Sequence, residues 1–277
     1  MLRLIFPRSL SRRQVRAGLT LLELVVVLVI LAALAALVVP RLSGVASQSN
    51  AATNAAVVEE VNRAVTMFEA RYGNDSTKRL NGWDSLLNSS SDFFSKLNPN
   101  LQKSTATTLD VTRPILQITT LDAGQAQSLK DAKITGLHDA DEARVAPPSD
   151  NSTVYRGIAT GVQVVTLVKS PVPTGHGSTF IDKAFNVNQF KSNWANEYVV
   201  VGLGGPTSLK GATLSEVPLV QSANPSQYYA RALCVFMIPA AGATSTFPAQ
   251  YVGSFLPDGT SLRSNIDSYN SSNVTAN

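Results

Sequence analysis

The chain has 277 residues, 44% of them hydrophobic, and a formal net charge of +4. That length admits one or two domains with a substantial core, and a lone cysteine, Cys234, excludes an internal disulfide framework. The positive charge is local: Arg3, Arg8, Arg12, Arg13 and Arg16 crowd residues 1–18, which carry no acid, so the rest of the chain holds one basic residue fewer than its 19 acidic ones. A near-neutral body removes the electrostatic case for a nucleic-acid partner.

Behind the arginines, Leu19 to Val39 is apolar except for Thr20 and Glu23. As a helix rising ~1.5 Å per residue it is about 30 Å long, the thickness of a bilayer's hydrocarbon core, so a transmembrane span is expected. Five arginines precede the run and only Arg41 follows closely. The positive-inside bias therefore puts the N-terminus in the cytoplasm and the body outside it, with a single membrane span between them. Glu23 is the anomaly. A carboxylate near the hydrocarbon edge costs on the order of a few kcal/mol, which marks it as functional. A secretory signal peptide ending near Gly44-Val45-Ala46 does not need that carboxylate, and a plain single-pass anchor explains neither Glu23 nor the glycine before Leu19.

Gly18-Leu19-Thr20-Leu21-Leu22-Glu23, after a basic leader and before an apolar run, resembles the N-terminal motif of type IV pilins and of the pseudopilins of type II secretion systems. Leu19 departs from the phenylalanine commonest at that position while keeping its apolar character. Pro40 falls where pilin helices commonly carry a proline. The resemblance implies that a prepilin peptidase removes residues 1–18 by cutting after Gly18, and that Leu19 is then N-methylated. It further implies assembly into a filament through Glu23, with Thr20 and Pro40 as further assembly positions. Glu23 would neutralise the terminal amine of a neighbouring subunit. Other pseudopilins, an inner-membrane platform and an assembly ATPase are the implied partners.

Pro40 is expected to kink the helix without ending it. Beyond it, Val58, Val61, Val65, Phe68 and Tyr72 recur at spacings of three and four, one face of a helix that continues to Tyr72 and stops at Gly73-Asn74-Asp75. Glu59 and Arg63 sit one turn apart on the polar side. Followed backward, the stripe passes through Asn54, Ala51, Ser47 and Gly44. Residues 41–56 are thus expected to bury little against their own chain, serving either as a solvated stalk or as a small-residue surface for neighbouring helices.

Residues 73–277 form the expected globular head. Gly82-Trp83-Asp84-Ser85-Leu86-Leu87 and Phe93-Phe94 suggest a short helical region, or simply core aromatics; residues 139–150 read as an exposed loop. Strand patterns fall at Val154–Val168 (one or two strands), Tyr198–Leu203, Ala230–Ile238 and Gln250–Leu256. The fold class expected is α+β, pilin-like, with the long N-terminal helix packed on an antiparallel sheet and a head enlarged by insertions around 74–150 and 170–195.

No catalytic pattern stands out, and the chain is read as a structural subunit and not an enzyme. His138 and His176 are its only histidines. His176 near Ser178 and Asp182 is read as a solvated loop, and Gly202-Leu203-Gly204-Gly205-Pro206 lacks the Lys-Ser/Thr ending of a phosphate loop. Because major pseudopilins often bind calcium in a C-terminal loop, Asp258 and Asp267 are candidate ligands, with Asp139, Asp141 and Glu142 a second group. Neither set has a recognisable ligand spacing, and no cofactor is expected. The resulting expectation is a secretion pseudopilin. The alternatives are an adhesion or DNA-uptake pilin and a membrane-anchored extracytoplasmic binding domain.

Overall fold

The computed structural model describes residues 21–87, 116–138, 155–167, 196–220, 229–244 and 247–257, with residues 37–44, 46, 47 and 155 described by backbone alone. Two compact units divide the chain, residues 1–46 and 47–277. In the first, the described residues form the beginning of helix α1, which spans Leu21–Tyr72 and includes Pro40. The second holds the rest of α1 and an α+β body.

The final turns of α1 present a periodic buried face. Ala51, Asn54, Val57, Val58, Val61, Ala64, Val65 and Phe68 are all buried. Burying a Val or Leu side chain contributes about 1.5–3 kcal/mol, so this face anchors the helix to the body. Burial begins at Ala51, earlier than the apolar pattern predicts. Small Ala51 (9% exposed) and Asn54 (4%) continue the stripe without its bulk and pack against their own unit, while Ala52, Thr53 and Ala56 stay exposed. At the other end the Gly73 amide bonds the Glu69 carbonyl at 2.7 Å. A side chain at Gly73 would run into that carbonyl.

Among the described residues, eight strands make one sheet. These are β1 (Trp83–Asp84), β2 (Leu116–Thr120), β3 (Gly136–His138), β4 (Tyr155–Gly157), β5 (Gln163–Leu167), β6 (Glu197–Leu203), β7 (Leu233–Ile238) and β8 (Gln250–Phe255), with helix α2 (Ala123–Asp131) between β2 and β3. β6 is the organising strand. β7 runs antiparallel along one edge, from Glu197↔Ile238 to Gly202↔Leu233. The other edge is shared: β5 pairs there at Val199 and Val200, and β1 at Gly202 and Leu203. β8 extends the sheet from β7, β2 from β5, and β3 with β4 from β1. All pairings are antiparallel except β1 with β3. A parallel pair needs a crossover, and the chain carrying β2 and α2 supplies it.

Alternation along the central strands sorts the core into two layers. Val199, Val201 and Leu203 of β6 and Cys234, Phe236 and Ile238 of β7 join Val61, Val65 and Phe68 of α1 and Ala126 and Leu129 of α2. Tyr198, Val200, Leu233, Val235 and Met237 join Leu86, Leu87, Leu116, Val165 and Phe255 on the opposite face. Both faces of β6 and β7 are covered, which explains their nearly unbroken apolar sequence.

The segment Gly82–Leu87 follows the core reading and not the helical one. It enters the sheet as β1, and Trp83 is fully buried edge-on to Phe236, ring centroids 5.3 Å apart. Four elements between residues 74 and 150, namely β1, β2, α2 and β3, belong to the body itself and are not appended insertions. Phe93, Phe94, the loop 139–150 and the expected insertion at 170–195 lie outside the described residues.

Candidate functional site

The described start of α1 is apolar on every side and exposed on every side. Leu22 is 74% exposed, Val25 48%, Ile30 53% and Leu34 56%. A helix apolar all round needs covering by a core, a membrane or other helices. Glu23, in the first described turn, is the one charged side chain between Leu21 and Ala36, and it too is exposed. Among the described residues no helix is long and apolar enough to cross a membrane. The run read as a span, Leu19–Val39, extends past the described side chains at both ends. Gly18, Leu19 and Thr20 lie outside the described residues, and Pro40 is placed in α1 by its backbone.

The other sequence-derived candidates, Asp258, Asp267, Asp139, Asp141, Glu142, His176, Ser178 and Asp182, also lie outside the described residues. His138 is buried in β3. Among the described residues no group of three or more His, Cys, Asp or Glu is arranged to hold a metal ion. Cys234 is fully buried, and that burial pushes its thiol well above the ordinary range. It is an inert thiol of the kind found in apolar cores.

In the body the structure reveals a charge cluster that the sequence reading passed over. Asp84, wholly buried in β1, accepts a 2.6 Å hydrogen bond from the Tyr229 hydroxyl. The Arg231 guanidinium lies 3.6 Å from the same carboxylate oxygen. Burial, and after it the Asp84 charge, holds the Tyr229 phenol well above its usual range, so it remains a proton donor. A buried carboxylate is tolerable when an opposite charge and hydrogen bonds compensate it.

The glycine run beside it serves this cluster. A side chain on Gly202 would meet the Tyr229 hydroxyl, one on Gly204 the Gly82 carbonyl and Asp84, and one on Gly205 the Arg231 guanidinium. Gly202–Gly205 therefore provides room for the Asp84, Tyr229 and half-buried Arg231 cluster in place of a phosphate cradle. The available signal was Asp84 within an apolar context, Trp83 before it and Leu86-Leu87 after it.

Residues 13–39 match the family described as the prokaryotic N-terminal methylation motif. No curated protein and no solved structure matches the chain. The exposed apolar start of α1 and its single carboxylate fall inside the matched segment. The chain carries the N-terminal methylation motif typical of prepilins and pseudopilins.

Proposed function

We propose that this protein is a pilin-like structural subunit, a pseudopilin of a type II secretion system. In this reading residues 1–18 are a leader removed by a prepilin peptidase, Leu19–Val39 anchors the subunit in the inner membrane, and residues 73–277 form a head outside the cytoplasm. The subunit carries out no catalysis of its own, and force for assembly comes from the ATPase and platform of the system. The observation that carries the reading is Glu23, the one charged side chain in the exposed apolar start of α1, inside the methylation motif.

The chemistry follows from that placement. Hydrolysis of the Gly18–Leu19 peptide bond creates an amine at Leu19. An α-amino group titrates near ~8, so it is cationic at neutral pH. Methylation of an amine keeps that charge. When helices leave lipid to pack together, the amine of an incoming subunit and the Glu23 carboxylate of its neighbour compensate each other. A helix arriving out of place leaves one charge buried alone, at about 3–5 kcal/mol. Glu23 thereby makes assembly selective for correct docking.

Glu23→Ala separates this role from anchoring. The variant is expected to insert and be cleaved like the wild type yet fail to enter filaments. Normal incorporation of the variant would remove Glu23 from assembly.

A further inference from the structure

Between Val58 and Val65 the apolar side chains of α1 do little to specify where along its axis the helix sits on the sheet. From Val58 to Val65 its buried face offers Val58, Val61, Ala64 and Val65. Sliding by one turn, about 5 Å, replaces one valine by the next. The one large side chain on this face, Phe68, is buried in the core at the end of this stretch and also stacks on Tyr72 of the same helix, ring centroids 4.9 Å apart. Lys133 holds the Tyr72 carbonyl at the end of the helix, but through a flexible four-carbon stem that can follow it.

On this stretch a polar contact distinguishes registers. The Tyr251 hydroxyl donates to Asn62 Oδ1 at 2.7 Å, and Ser254 Oγ, itself buried, donates to the same oxygen at 2.8 Å. An amide oxygen has two lone pairs, and both are used here. Ser254 Oγ also lies 3.4 Å from the Val58 carbonyl, one turn before Asn62. Tyr251 is fixed in turn by Phe236, centroids 5.4 Å apart, so the donors belong to the rigid sheet. Asn62 is flanked along α1 by Val58 and Thr66, neither of which carries an amide. A one-turn slip in either direction leaves both hydroxyls without their shared acceptor.

We infer that Asn62 sets the axial register of α1 on the sheet, with Tyr251 and Ser254 as the reading groups. A polar residue that fixes the alignment of a largely apolar interface is a well-attested use of interface polarity, and half-buried Asn62 sits where the sheet's hydroxyls can read it. This register lock is independent of filament assembly and belongs to the isolated subunit.

Spin-label distances in the full-length protein, purified as a monomer in detergent, test it. Met67→Cys on the outer face of α1 is paired in turn with Ala159→Cys and Ala243→Cys, three exposed positions, while buried Cys234 stays unlabelled. In the parent protein each pair is expected to give one distance. Asn62→Leu is expected to add a second population displaced by about 5 Å along the helix. Tyr251→Phe with Ser254→Ala, which leaves Asn62 in place, is expected to do the same. Unchanged single distances in both variants would overturn the inference. So would unfolding of both, since a register lock is dispensable to the fold itself.

Discussion

Tyr229 and Asp84, 145 residues apart in sequence, meet at 2.6 Å in the interior of the body. The bond joins the segment before β7 to the two-residue strand β1, which shares one edge of β6 with β5. Tyr229→Phe removes the hydroxyl and leaves the carboxylate with less compensation. A loss of about 1–3 kcal/mol is expected. Urea unfolding of the full chain in detergent, followed by tryptophan fluorescence, measures it. Gly202→Ala is expected to cost a similar amount, since its methyl would displace the same hydroxyl.

Lys133 caps the end of α1 from the turn after α2. Its ammonium donates to the Tyr72 carbonyl at 2.7 Å and the Asp75 carbonyl at 2.5 Å. Cations at a helix C-terminus satisfy orphan carbonyls and favour the helix dipole. Lys133→Met keeps most of the stem's packing and removes the charge, and about 1 kcal/mol of stability should be lost. Amide exchange should accelerate in the last turn of α1 while the turns around Val58 keep their protection.

Asp122 gives the body an acid-sensitive contact. Its side chain accepts the Gln125 amide at 2.7 Å as the N-cap of α2, and the Gly242 amide at 2.7 Å from the turn after β7. Those backbone bonds, Gln125 first and Gly242 second, hold its pKa below the ordinary 3.8. The folded value lies below the unfolded one, so the stabilisation is fully present above about pH 4 and is lost as pH falls through the folded value. Asp75, lowered by its bonds to Thr77, acts with the same sign. Asp122→Ala should therefore lower the Tm at neutral pH and flatten, without abolishing, its decline below pH 4.

The strands were legible where alternation or continuous apolarity was strong. Tyr198–Leu203 and Gln250–Leu256 mark β6 and β8 to within a residue at each end, and the Val154–Val168 region resolves into β4 and β5. The elements missed are those whose burial is polar or brief. Helix α2 buries Gln125 and Ser128 beside Ala126 and Leu129, so its apolar period is weak. Its capping box, Asp122 with Gln125, was the available signal. β1 has only two residues and becomes a strand through its neighbours β3 and β6. Ala51 and Asn54 carry no burial signal in the sequence because one is small and the other polar, yet both bury readily at a helix–body interface. The N-terminal motif was legible because its chemistry is local: a glycine, a carboxylate five positions later, and apolar residues beyond. The Asp84 cluster was not, since its members converge only through the sheet.

The most direct test of the central claim is mass analysis of the N-terminus of the native protein extracted from membranes. The account predicts a chain beginning at Leu19 with one methyl group on its amine. A chain retaining Met1, or one beginning near Ser47, would contradict it.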